Sequence, residues 1–353
     1  MDPQATYTAL LALVGQMRSI GAVFEIAIAV VAVVVGCMAL LPVAERYRRY
    51  ALYVLAGLLL GGECVLAWFH WQLSRLMVVL DPASGLVAGH IAPPLWIESE
   101  KLYVWALLVA AMGLLMRRQR SELLAGVTLS AAALAVGATM LGRPFTNPLP
   151  DLLGQYVEYL KGMMAGGTVA GRAFYGMESA RQFYYNAWFM WIHPPLLFFS
   201  YGAFVISFIA TVLMIRERHS AFETTAYRWA RLGYLSLTAG MLLGLPWALM
   251  SWQGEAWWWS GKVNMSIMMW VLYTAYLHAR LYLRSSGMWK AVAVIAVISF
   301  AILLLTYVAT YVVPGAHSYA SADAGATLSS LARCTCAAAA RSAALLSRRG
   351  GLT

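Results

Sequence analysis

Six residues of this chain are the ones best suited to chemistry near neutral pH: His70, His90, His193, His219, His278 and His317. His193 stands in W-I-H-P-P-L-L and His317 in P-G-A-H-S-Y, whereas His219 sits in the basic run R-E-R-H-S with no special role. A second group is aromatic. The stretch WALMSWQGEAWWWSGKVNMSIMMW holds Trp247, Trp252, Trp257, Trp258, Trp259 and Trp270, with Gly254 and Gly261 on either side of the triplet. Indoles normally sit singly at headgroup depth in a membrane. Three in a row can also form a flat shelf for a large planar molecule. From the stretch alone, belt and shelf stand level. Imidazole is a common axial ligand of haem iron, and two such ligands would clamp the iron while indoles cover the apolar porphyrin. Each histidine alone reads as a headgroup-level residue. A shared level for His193, His317 and the tryptophans is what favours a site.

That level depends on the helices. A spanning helix needs about 20 mostly apolar residues. Eight segments qualify: 20–43, 51–73, 101–116, 122–141, 187–214, 229–250, 264–283 and 289–313, the third being short. The chain has 353 residues, of which 61% are hydrophobic and 11% charged. The expected fold is an all-α polytopic membrane helix bundle. Arg46, Arg48 and Arg49, then Arg117, Arg118 and Arg120, then Arg216, Arg218, Arg228 and Arg231, then Arg280, Arg284 and Lys290 fall on alternate turns. By the positive-inside rule these turns are cytoplasmic, so both termini lie outside. The segment 74–100, the long loop 142–186 and the tryptophan stretch then share the outer face with His193 and His317. Pro194 and Pro195 are expected at the start of a helix, where missing N–H groups cost nothing. The net charge of +10 fits cytoplasmic loops rather than nucleic-acid binding. The acidic start M-D-P-Q carries no sign of a cleavable signal peptide.

Ionisable residues inside spans are costly and face a bundle interior or a cavity. Glu25, Glu63, His70 and His278 are such residues. Glu63 and His70 share a helix face two turns apart, which reads first as a polar pair that helps helices pack. Cys37 and Cys64 read as core packing. Cys334 and Cys336 form C-T-C, so no thioredoxin-type, zinc or haem-attachment spacing is present.

Taken in order, these motifs resemble the cytochrome c assembly proteins that handle haem (the CcmF, CcmC and CcsA group). Trp257, Trp258 and Trp259 fall on the aromatic core of the family's tryptophan-rich segment, and Asn264 and Ser266 on its end. WIHPPLLFFSYGAF resembles its H-P-P segment, GAHSYA its second outer histidine, and MMWVLYTAYLHARLYL the helix after the tryptophans. LWIESEKLYVW is similar to a CcmF-type segment through Trp96, Glu100 and Trp105, and RPFTNP to its N-P-F turn. The likeness runs from about residue 50 to 320.

The resemblance implies that His193 and His317 ligate non-covalent haem b at the site of Trp252, Trp257, Trp258, Trp259 and Asn264. It also implies a place for His278 in a second, membrane-buried haem. His70 is the partner left by elimination, but His278 lies about 21 Å below the loop, which strains a shared haem. The family's acidic pair is missing: Ser260 stands for Asp, Gly261 for Pro and Val263 for Glu. The implied activity is cytochrome c biogenesis, with haem presented to an apocytochrome c and supplied by other maturation proteins. It leaves open whether the chain is itself part of a haem lyase. The implied place is the plasma membrane, in contact with the lipid bilayer, with the haem site extracytoplasmic and residues 1–324 as the haem-handling domain. Residues 325–353 read as a low-complexity, disordered tail. Two other readings stand beside this one. A transporter would use Glu25 and Glu63, although no inverted repeat is visible. A degenerate scaffold without haem is favoured by Ser260 and Val263.

Overall fold

A computed structural model describes residues 2–41, 44–116, 119–251, 258, 260–283 and 289–312. Among them are ten α-helices: α1 (Pro3–Leu40), α2 (Glu45–Leu76), α3 (Lys101–Leu115), α4 (Ser121–Gly137), α5 (Pro150–Ala165), α6 (Gly167–Ala180), α7 (Phe189–Glu217), α8 (Ser220–Ser251), α9 (Gly261–Leu283) and α10 (Trp289–Val312). Each of the eight expected segments falls on a helix, with ends that differ from those expected. By length and composition six helices can cross a membrane: α1, α2, α4 with the π turn that prolongs it to Gly142, α7, α8 and α10. The short α3 has 15 residues, about 22 Å of rise. The polar residues Lys262, Asn264, Ser266, His278 and Arg280 all lie on α9. The chain is therefore a multi-pass, all-α membrane protein. Its outward residues agree: Val23 is 68% exposed, Leu60 57% and Leu242 66%. Apolar surface on that scale suits lipid rather than water.

Two expectations are corrected, and a third segment gains a structure of its own. The first helix begins at Pro3, not near residue 20, because Asp2 caps it: its side chain accepts the Gln4 N–H at 3.0 Å and Pro3 fills the first helical position. The stretch 142–186 is not a loop. It folds as α5 and α6, joined through Gly166 and Gly167 at φ +72° and +55°, a conformation that favours glycine. Segment 74–100 contains an antiparallel hairpin, β1 (Val78–Leu80) with β2 (Val87–His90). The hydroxyls of Tyr156 and Tyr159 on α5 accept the β1 amides of Val78 (2.9 Å) and Leu80 (2.7 Å), so the strand's second edge is satisfied.

Two compact units make up the chain: Met1–Ser251 with Leu272–Phe300, and Trp252–Val271 with Ala301–Thr353. In the first, the turn after α4 locks into the helices. Phe145 is fully buried, edge-on to Tyr103 (5.3 Å, 87°) and 6.0 Å from Phe24. At Gly62 any Cβ would collide with the Tyr103 hydroxyl, which donates to Leu59 O at 2.5 Å. The turn between α7 and α8 uses Arg218 in the left-handed region (φ 55°). The two helices are pinned by Ser207, whose hydroxyl donates to Ala226 O at 2.9 Å. Tyr273 of α9 lies flat on Phe204 of α7, ring centroids 3.6 Å apart and planes within 9°. At the basic end, Arg280 pairs with Glu223 (2.5 Å) and covers Tyr227 (3.5 Å).

Candidate functional site

The prolines after His193 lie inside α7, not at its start. Neither can donate to the carbonyl four residues back. For Pro194 that carbonyl is Met190 O, and the indole N–H of Trp96 donates to it at 2.6 Å. Trp96 also meets Trp191 edge-on at 5.5 Å. The helix thus continues through both prolines because a side chain from the segment before α3 replaces one lost donor.

His193 is held against α8. Its Nδ1 lies 2.7 Å from Gly240 O. A carbonyl can only accept, so Nδ1 carries the hydrogen, and in the neutral ring Nε2 carries the lone pair. The ring sits in a notch at Gly244, where a Cβ would stand 2.5 Å from its Cε1. Trp247, one turn further, lies 6.1 Å away and tilted by 35°. Trp247 is itself tethered: its indole N–H donates to Phe183 O at 2.6 Å, and the Ser251 hydroxyl donates to the same oxygen at 3.1 Å. Phe183 belongs to the π turn that follows α6. The outcome is a half-buried imidazole with a fixed tautomer, oriented by a backbone carbonyl in the way ligating histidines are. These residues fit an axial ligand of haem iron.

Gly240, Gly244 and Trp247 were not among the expected site residues. Their signal was visible: the spacings i, i+4 and i+7 place all three on one helix face.

Of the other expected site residues, His317, Trp252, Trp257 and Trp259 lie outside the described residues. Trp258 is half exposed. Asn264 stands in the first turn of α9, its N–H bonded to Ser260 O at 3.1 Å. The Ser260 hydroxyl accepts the Val263 N–H at 3.4 Å. Serine therefore takes the helix-capping role that an aspartate could fill at this position. His278 is exposed on α9, with Nδ1 2.8 Å from Thr274 O of its own helix, so its neutral ring again carries the lone pair on Nε2. Tyr273, Tyr276 and Arg280 form the buried face of that helix.

His70 is different. Its Nδ1 lies 2.9 Å from Pro93 O and its Nε2 2.6 Å from Glu100 Oε1. Both nitrogens are committed, so it has no lone pair to offer the second haem that the resemblance implies. The pairing read for it, with Glu63, is secondary to the one with Glu100. Glu25 is also engaged, facing Thr146 and Arg143 of the turn after α4. Glu98, at the end of the 74–100 segment, is committed as well. Its carboxylate caps α5, accepting the N–H groups of Asp151 (2.9 Å) and Leu152 (3.1 Å). Burial and the nearby Asp151 charge nevertheless push its pKa up to about 8, making it a weaker acid.

The sequence model of the family described as Cytochrome C assembly protein matches residues 95–317. The probable cytochrome c-type biogenesis protein NrfE of Escherichia coli is 31% identical over 134 residues, 36% of this chain and 24% of that protein. The cytochrome c biogenesis protein CcsA of Prochlorococcus marinus is 37% identical over 104 residues, 29% of this chain and 32% of that protein. The cytochrome c-type biogenesis protein CcmF of Haemophilus influenzae is 32% identical over 135 residues, 36% of this chain and 21% of that protein. The matched part spans less than a third of each of these relatives. The family match itself covers more than half of the chain and includes the His193 segment, and on that ground the chain belongs to the cytochrome c assembly protein family.

Proposed function

We propose that this protein is a cytochrome c biogenesis factor that holds haem as its cargo at an extracytoplasmic site and presents it to an apocytochrome c. The observation that carries the reading is the His193 ring, held by Nδ1–H on Gly240 O in the way a backbone carbonyl orients ligating histidines. His317 supplies the second axial ligand in this reading, and Trp252, Trp257, Trp258, Trp259 and Asn264 receive the macrocycle. His278 is assigned to a second haem, with its other ligand from a residue other than His70. The haem is non-covalent haem b, and its iron chemistry is the cofactor's own. The chain contributes binding and orientation, which is where most of the help for thioether formation with reduced cysteines would come from. The partners are an apocytochrome c and the maturation proteins that deliver haem. The protein sits in the plasma membrane with eight spans, α3 and α9 completing the set, and both termini outside.

The test is spectroscopic. The purified protein should show a bis-histidine haem spectrum, oxidised and reduced. His193→Ala and His317→Ala should each lose most of it while staying folded, and added imidazole should restore part of the His193→Ala signal. A folded wild type that stays colourless after haem is added sinks the reading. The scaffold reading, motivated by the absent carboxylates at Ser260 and Val263, would then take its place.

A further inference from the structure

The buried acids near the end of α2 have no part in the haem reading. Glu100 follows Ser99 at the close of a short 3-10 turn (Glu98–Glu100) and its side chain is 0% exposed. One of its oxygens meets His70 Nε2 at 2.6 Å; the other, Oε2, is buried without a hydrogen-bond partner. Two turns back along α2, Glu63 lies within electrostatic range of both Glu100 and His70, and its Oε2 is likewise buried and unpartnered. From α3, Tyr103 faces Glu63, but its hydroxyl hydrogen is spent on Leu59 O. Lys101 acts on Glu98.

Protons can be counted from this geometry. Pro93 O can only accept, so His70 Nδ1 bears a hydrogen. The 2.6 Å contact between Nε2 and Glu100 Oε1 holds one more proton, on whichever side it rests. The pair is then neutral overall. An ionised Glu63 beside it would leave a net negative charge in a low-dielectric interior, facing a second carboxylate. Two carboxylates within electrostatic range of each other and away from water do not both stay ionised cheaply. A proton on Glu63 removes the imbalance and gives its unpartnered oxygen a hydrogen to donate.

We propose that Glu63, His70 and Glu100 form a proton-binding site, with the exchangeable proton carried by the Glu63 carboxyl and the His70–Glu100 pair as its neutral counterpart. Its ligand is the proton alone, taken from solution onto the carboxylate and returned there. None of the three groups lies on α7, α8 or α9, so the site stands whether or not haem binds at His193.

Infrared spectra of the full-length protein in lipid, in water and in heavy water, test it. The wild-type-minus-Glu63→Gln difference at neutral pH should contain the carbonyl stretch of a protonated carboxylic acid, shifted down by deuterium. Glu63→Asp should move that band without removing it, which keeps the assignment open if Glu63→Gln does not fold. Glu100→Gln, by taking away the facing carboxylate, should lower the pH at which the band disappears. Absence of an exchangeable acid band from the wild type at every pH the fold tolerates overturns the proposal. So does a band that Glu63→Gln and Glu63→Asp leave unchanged, or a midpoint that Glu100→Gln does not move.

Discussion

His70 and His193 are a natural pair to compare. Each lies on a helix within a few turns of its end, and each puts Nδ1 on a backbone carbonyl, Pro93 O in one case and Gly240 O in the other. They differ at Nε2. His70 meets the buried Glu100 there and is itself 5% exposed. His193 is half-buried in a notch of α8 beside Trp247. The same side chain is thus joined to a buried carboxylate at one place and, in the proposed reading, offered to haem at the other. The elements packed against each ring, not depth in the membrane, set the difference.

The sharpest way to break the comparison is His70→Ala. It leaves Glu100 buried with no partner on either oxygen, and removing one member of a buried pair costs roughly 3–5 kcal/mol. The protein should unfold in detergent at a clearly lower denaturant concentration or temperature. The haem bound by the folded fraction should keep an unchanged spectrum. A stable His70→Ala protein with a weakened haem spectrum would reverse the roles assigned to the two histidines.

How far the sequence carried this distinction can be traced residue by residue. The apolar runs marked all six helices that are long and apolar enough to span among the described residues, because twenty apolar residues have few other fates. H-P-P singled out His193 by its likeness to the family segment, while the prolines themselves were expected at a helix start and lie inside α7. His70 was matched to Glu63 because periodicity sees only neighbours on one helix. Its real partner, Glu100, is thirty residues away and is brought in by the turn before α3. The α5–α6 pair escaped notice because short amphipathic helices rich in Gly and Tyr lack a long apolar run, so the stretch read as a loop. The capping of α1 by Asp2 was legible in D-P-Q but was passed over for the denser apolar run that follows. Trp96 could not be tied to Met190 by any spacing rule, because the link crosses 94 residues.

A milder substitution sharpens the contrast from the His193 side. Alanine is ordinarily better than glycine inside a helix by up to about 1 kcal/mol. At Gly244 it should be worse, since the new Cβ meets the imidazole at 2.5 Å. The expected cost of overpacking is roughly 1–3 kcal/mol. The more telling readout is the haem spectrum, which should broaden or shift as the ring is pushed off Gly240 O. Gly233→Ala, beside Phe204 on the same helix rather than the imidazole, serves as a packing control whose spectrum should change less. Equal spectra for Gly244→Ala and the wild type would mean that the notch does not orient His193.

The smallest expected effect belongs to Trp96→Phe, which probes how α7 survives its prolines. Phenylalanine keeps most of the edge contact with Trp191 but cannot donate to Met190 O, the carbonyl that Pro194 leaves without a helix partner. Trp96 is only half-buried, so water can take over part of the lost bond and the net cost should be about 1 kcal/mol. Thermal unfolding of Trp96→Phe beside Trp96→Phe/Pro194→Ala measures the coupling. In the double variant alanine restores the helical donor to Met190 O, so losing the indole N–H should then cost little. If Trp96→Phe costs the same in both backgrounds, the indole is not standing in for the missing amide. The stiffness of the helix around His193 would then have to come from the α8 side, through Gly240 and Trp247 alone.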